Sequence, residues 1–189
     1  MKKVFLLLTM LLFAFIGTMK ADELTVHDGT DGNSYVPVYG LWADAYLRCQ
    51  YVIPADDLGD MEGGQISGMT FYLKTSAPAA WTGTFQVYMT EVNDATISAF
   101  IDPSTATTVF TGNLDATGTT MTVTFATDYS YGGGNLLVGF DQIEKGNYKS
   151  ATFYGVTATG ASGSNYNSAN VNNVSFSQRN FLPDRKSVV

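Results

Sequence analysis

The chain has 189 residues, with 10 basic against 17 acidic side chains, one histidine and one cysteine, a formal net charge of −7 and a pI near 4.4. An acidic surface repels phosphate backbones, so nucleic acid is excluded as the expected partner. The cysteine and histidine counts exclude an intrachain disulfide, a multi-cysteine metal site and a histidine-rich zinc centre.

Residues 1–21 have the layout of a secretory signal peptide. Lys2 and Lys3 precede an apolar run from Val4 to Ile16, and small and polar residues follow up to Ala21. The run is shorter than the ~20 residues a spanning helix needs, which favours cleavage over anchoring. Cleavage after Ala21 puts Met19 at the −3 position, an imperfect fit. Cys49 lies too far downstream to carry a lipid anchor. Three of the 10 basic residues lie in this segment and none of the acids does, so the mature chain carries seven bases against 17 acids. The expected location is secreted or cell-surface.

The remainder, residues 22–183, reads as one domain rich in Thr, Gly, Tyr, Phe and Val, which favours strands. "LTVH" is a first short strand. "HDGTDGN" follows, with Asp28, Asp31 and Asn33 among glycines. These three are candidate calcium donors, though the spacing is not that of an EF-hand, and a turn held by Asx hydrogen bonds is the competing reading. "SYVPVYGLWADAY" packs Tyr35, Tyr39, Trp42 and Tyr46 close together. With Trp81 in "APAAWTG", Tyr35, Tyr39 and Trp42 form the candidate ligand-binding surface, since exposed ring faces stack on sugars or proteins. The alternative is that these rings cap the core.

"YLRCQYVI" alternates, with Leu47, Cys49, Tyr51 and Ile53 on the buried face and Arg48 and Gln50 opposite. Cys49 is read as a buried structural thiol. "PADDLGDM" suits a short helical turn near 55–61, led by Pro54, with Asp56 and Asp57 at its positive end and Gly63-Gly64 ending it. Phe85, Val87 and Met89 in "TFQVYMTEV", and Met121, Val123 and Phe125 in "TMTVTF", repeat the period of two. "ISGMTFYL" and "NLLVGF" are apolar on both faces, as central strands are. "TTVFTG", "KSATFYG" and "VSFSQRNFL" complete about nine strands. The polar stretch Thr157 to Ser175 reads as a long surface loop or a weak edge strand. The fold class is therefore all-β, an antiparallel two-sheet sandwich or a barrel by its strand spacing.

The stretch Arg48 to Leu73 resembles a module that recurs in secreted and surface proteins of Bacteroidetes. It has a strand ending in Tyr51 to Ile53, an acidic turn with Asp57-Leu58, then Gly63-Gly64, then Ile66, Gly68, Phe71 and Tyr72. The resemblance covers most of residues 24 to 183 and implies a jelly-roll-like sandwich set ahead of other domains. It carries no catalytic residue.

His27 would have to serve any Ser-His-Asp or Cys-His system, and its context lacks a nucleophile elbow. Two carboxylates would suffice for a glycosidase, but most aspartates lie in turn contexts. The expected function is a noncatalytic adhesion or scaffold module, with carbohydrate binding as the alternative. The expected partners are a glycan or protein ligand and further domains of the same chain, and no cofactor is expected unless calcium. The last six residues, Asp184 to Val189, match the in-frame translation of a widely used short-read sequencing adaptor, stop codon included. The expectation is that they replace a native continuation.

Overall fold

The computed structural model describes residues 23–42, 45–147 and 149–188, and their side chains except those of Trp42 and residues 185–188. The expected signal segment lies outside the described residues. The strands are β1 (Glu23–Val26), β2 (Asp31–Asn33), β3 (Tyr46–Ile53), β4 (Gln65–Thr75), β5 (Thr84–Val92) and β6 (Thr107–Gly112), then β7 (Thr120–Ser130), β8 (Asn135–Glu144), β9 (Thr152–Asn167), β10 (Gln178–Pro183) and β11 (Arg185–Val188). The helical content among these residues is short 3-10 turns. Two of them, Ala55–Asp57 and Gly59–Met61, occupy the turn expected near 55–61. Gly63 follows with φ +76°, where a Cβ would be strained.

Every strand pairing is antiparallel. The hydrogen-bonded order is β1-β11-β4-β9-β3-β8-β5-β6, with β7 on β4 and with β2 and β10 on β9. Strand β4 joins two layers. Its first part pairs with β7 and β11, while Leu73 and Thr75 at its end pair with β9. On the far side β6 lies alongside β7, so the sandwich is nearly closed.

The inner faces follow the period of two. Leu47, Cys49, Tyr51, Ile53, Phe85, Val87, Met89, Met121, Val123 and Phe125 all lie in one buried cluster. Each large apolar side chain buried this way contributes about 1.5–3 kcal/mol relative to exposure. Phe71 of β4 ties the layers together, meeting Phe140 and Phe153 edge-on at 5.7 and 6.5 Å.

Two expectations are corrected. Arg48 and Gln50 do lie opposite Cys49, but they are buried as well, at 8% and 0% exposure. A second apolar cluster of Val52, Tyr88, Ile97 and Leu137 covers the outer face of β3, β5 and β8, and Ile101, Ala106 and Phe176 pack on it. The segment between β5 and β6 thus roofs a face that alternation alone presents as open. The stretch from Thr157, read as a long surface loop or a weak edge strand, is at its start neither a loop nor an edge. Up to Asn167 it continues β9, with Ser162 and Gly163 paired to both β3 and β10.

Candidate functional site

The loop after β2 is built by Asn33. Its Oδ1 accepts hydrogen bonds from the backbone N–H of Tyr35 (2.8 Å) and Val36 (2.9 Å), and its Nδ2 donates to the Val36 carbonyl. Gly40 N closes the loop on the Ser34 and Val38 carbonyls. Val36 and Val38 then point inward with 0% exposure, plugging the core. Tyr35 is left outward at 37% exposure, while Tyr39 lies mostly covered at 8%.

These rings form one cluster. Tyr35 and Tyr39 are 5.3 Å apart, and Tyr39 meets the Tyr166 ring edge-on at 6.0 Å. Arg179 of β10 sits over Tyr35 with Cζ 4.1 Å from the ring centre, and 5.5 Å from that of Tyr39. Its guanidinium is braced by Ser164, through Nε to Oγ at 3.2 Å and Nη2 to the carbonyl at 3.3 Å. The large apolar side chains exposed among the described residues are Tyr35, Leu41 and Tyr166. Two of them belong to this cluster, and Leu41 follows Tyr39 by two residues.

The cluster keeps Tyr35 and Tyr39 from the sequence reading and adds Tyr166 and Arg179. Neither addition stood out in sequence, because both lie in or near the polar stretch read as a long surface loop or a weak edge strand. Their common signal is parity. Tyr166 is the Cα partner of Leu47, and Ser164, which braces Arg179, is the partner of Cys49. Trp81 is corrected: at 1% exposure it is a core residue, 5.8 Å from Phe85, with its indole N–H donating to the Lys149 carbonyl at 2.7 Å. It cannot offer a face to a ligand. The Trp42 side chain lies outside the described residues. Tyr46 is half-buried beneath Lys145, and Tyr129 and Tyr131 are buried.

Asp28, Asp31 and Asn33 are engaged separately. Asn33 Oδ1 is occupied by backbone N–H groups, and Asp31 Oδ2 accepts from the Thr157 hydroxyl at 3.3 Å. Asp28 lines a different feature, a cleft of about 850 Å³ shared with His27, Tyr72, Lys74, Tyr154 and Asp184. The Asx turn therefore accounts for Asn33. No group of three or more His, Cys, Asp or Glu side chains placed to hold a metal occurs among the described residues.

In that cleft His27 follows β1 with φ +64° and lies 3.5 Å from the Asp57 carboxylate. The lining contains threonines but no serine or cysteine beside it. Burial pushes the Asp184 carboxyl up, against a hydrogen bond from Gly29 N–H.

No protein-family model matches the chain, and no curated protein matches it. Among solved structures, the chain is similar to the cysteine protease and lectin-like domains of Cwp84, a surface layer associated protein of Clostridium difficile. The identity is 13% and the TM-score 0.45, over 76% of this chain. The match spans 32% of that structure's chain.

Proposed function

We propose that this chain is a noncatalytic adhesion module of an exported or cell-surface protein, and that it holds its ligand on the Tyr35–Tyr39–Tyr166–Arg179 surface. The observation that carries this reading is that Tyr35 and Tyr166, two of the three large apolar side chains exposed among the described residues, are joined through Tyr39 in one ring cluster. Rings that are already fixed lose little conformational freedom on binding, and tyrosine presents an apolar body with a polar tip. The resemblance to Bacteroidetes surface modules supports export and a place beside other domains.

A glycan is the ligand class that this surface favours. It loses Trp81 as a platform, keeps Tyr35 and gains Tyr166. The test is a glycan array probed with the chain and with a Tyr35→Ala/Tyr166→Ala variant. Binding that disappears in the variant, with the thermal unfolding profile unchanged, is the expected result. Binding that persists in the variant would remove these tyrosines from the contact. Absence of binding to any glycan would leave the scaffold role, in which the chain only spaces neighbouring domains.

A further inference from the structure

We infer that the sugar bound at this surface is acidic, and that Arg179 receives its carboxylate. This rests on the ligand-binding reading above and goes beyond it in naming the ligand's charge and the residue that reads it.

Arg179 is a cation held by Ser164 and left without a counter-charge among the described residues. A guanidinium has five N–H donors. Two of them go to Ser164, one to its hydroxyl and one to its carbonyl, and both acceptors are neutral. The ion pairs among the described residues are Arg48–Asp141 and His27–Asp57, so no described carboxylate is paired with Arg179. That is notable in a chain with 17 acidic and 10 basic residues. The remaining donors lie in the plane of a guanidinium whose position is fixed by Ser164 and by the Tyr35 ring beneath it.

A planar fork fixed in this way matches a carboxylate through two parallel N–H···O bonds, shorter and stronger than bonds between neutral groups. The Tyr35 ring centre is only 4.1 Å from Arg179 Cζ, and Tyr39 carries the aromatic surface on to Tyr166. Arg179 covers one face of the Tyr35 ring, so a pyranose bearing a carboxylate would meet the guanidinium with its acid group while its apolar C–H face packs on the parts of Tyr35 and Tyr166 that remain exposed. A neutral sugar would use the rings and leave the guanidinium unpaired. The negative charge of the whole chain opposes any anion at long range, but salt screens it beyond about 10 Å at 0.1 M, whereas the Arg179 contact is direct.

The experiment is affinity electrophoresis and titration calorimetry of the full chain with polygalacturonate, and with the same polymer after chemical reduction of its carboxyl groups. Sialyllactose against lactose forms a second pair, separating hexuronates from nonulosonic acids as the source of the carboxylate. The expected result is binding to at least one acidic member, weakened about tenfold or more in its neutral counterpart, the size of one charge-assisted hydrogen-bonded contact. Arg179→Gln should abolish that preference and Arg179→Lys should keep part of it, while Tyr35→Ala weakens acidic and neutral members alike. Equal binding of acidic and neutral members by the unmodified chain overturns the inference, as does an undiminished preference in folded Arg179→Gln. Binding only to neutral glycans through the tyrosines also overturns it while leaving the adhesion surface standing. No binding to any glycan overturns it too, and removes the glycan reading with it.

Discussion

Arg48 of β3 and Asp141 of β8 face each other as Cα partners, and their side chains close a forked ion pair beneath the segment that links β5 to β6. Nε lies 2.9 Å from Oδ1, and Nη2 lies 2.6 Å from Oδ2. Tyr88 donates its hydroxyl to Asp141 at 3.0 Å, and Gln50 donates to Tyr88 at 2.9 Å. Gln50 also clamps Ile101, donating to its carbonyl at 2.7 Å and accepting its N–H at 2.8 Å. Burial acts to lower the Arg48 pKa, but the hydrogen bond and charge of Asp141 outweigh it and hold the group above its ordinary value.

Removing one partner leaves the other charge buried. Arg48→Met should therefore cost about 3–5 kcal/mol, read as a lower urea midpoint. Replacing both, as Arg48→Met with Asp141→Leu, should recover much of that loss, because no uncompensated charge remains. If the double variant is as unstable as the sum of the singles, the pair is not the unit that matters.

The same outer face relies on glycines that accept aromatic rings. A Cβ on Gly139 would fall 2.1 Å from the Tyr88 ring, and one on Gly163 would fall 2.1 Å from the Phe176 ring. Each ring packs this close to a strand only because the side chain beneath it is a hydrogen. Gly139→Ala and Gly163→Ala should each cost about 1–3 kcal/mol by overpacking. Pairing Gly163→Ala with Phe176→Leu should relieve part of the loss, and a loss unchanged in the pair would mean that the strand itself, not the ring, resists the methyl group.

The inner face of the sandwich was legible in the sequence because one physical rule governs it. Leu47, Cys49, Tyr51 and Ile53 alternate with other residues, and the alternation alone assigns them to the core. Cys49 follows from this: it is fully buried, and burial pushes its thiol up. The outer face was not legible, because Arg48 and Gln50 are polar and their cover comes from residues some fifty positions away in the chain. Trp81 misled for the converse reason. Its neighbours "APAAWTG" carry turn chemistry, yet the ring turns inward to Phe85. Asn33, a weak metal candidate, instead builds the loop that presents Tyr35. The site was half legible: Tyr35 stood in an aromatic-rich run, whereas Tyr166 and Arg179 reach it only through the β9 pairings.

Trp81 and Tyr35 should separate stability from binding. Trp81 is buried and hydrogen-bonded, so Trp81→Ala should cost about 3–5 kcal/mol. Trp81→Phe should retain most of the packing and leave the Lys149 carbonyl short of a donor. Tyr35 is exposed at 37% and its ring contacts are with Tyr39 and Arg179, so Tyr35→Ala should cost about 1 kcal/mol or less, well below the loss for Trp81→Ala. Chemical denaturation of both variants checks this. A stable Trp81→Ala protein would show that the indole is not part of the core.

Alkaline pH should weaken the fold through its buried phenols. Burial is the main cause pushing Tyr129 up to about 12, with the charge of Glu91 adding to it. Burial also pushes Tyr88 well above its ordinary value, again helped by a carboxylate, that of Asp141. An unfolded tyrosine titrates near 10. Between about 10 and 12 the unfolded chain has therefore lost a proton that folded Tyr129 still holds. The unfolded state binds fewer protons there, so stability is fully present below pH 10 and falls as pH rises toward 12. Urea midpoints measured across this window should decline, while tyrosinate absorbance in the folded protein lags behind that of the denatured chain. Tyr129→Phe removes one of these groups and should flatten the decline in proportion. A midpoint that stays level through the window, or a Tyr129→Phe profile that falls as steeply as the original, would show that this phenol ionises as freely in the folded protein as in the unfolded chain.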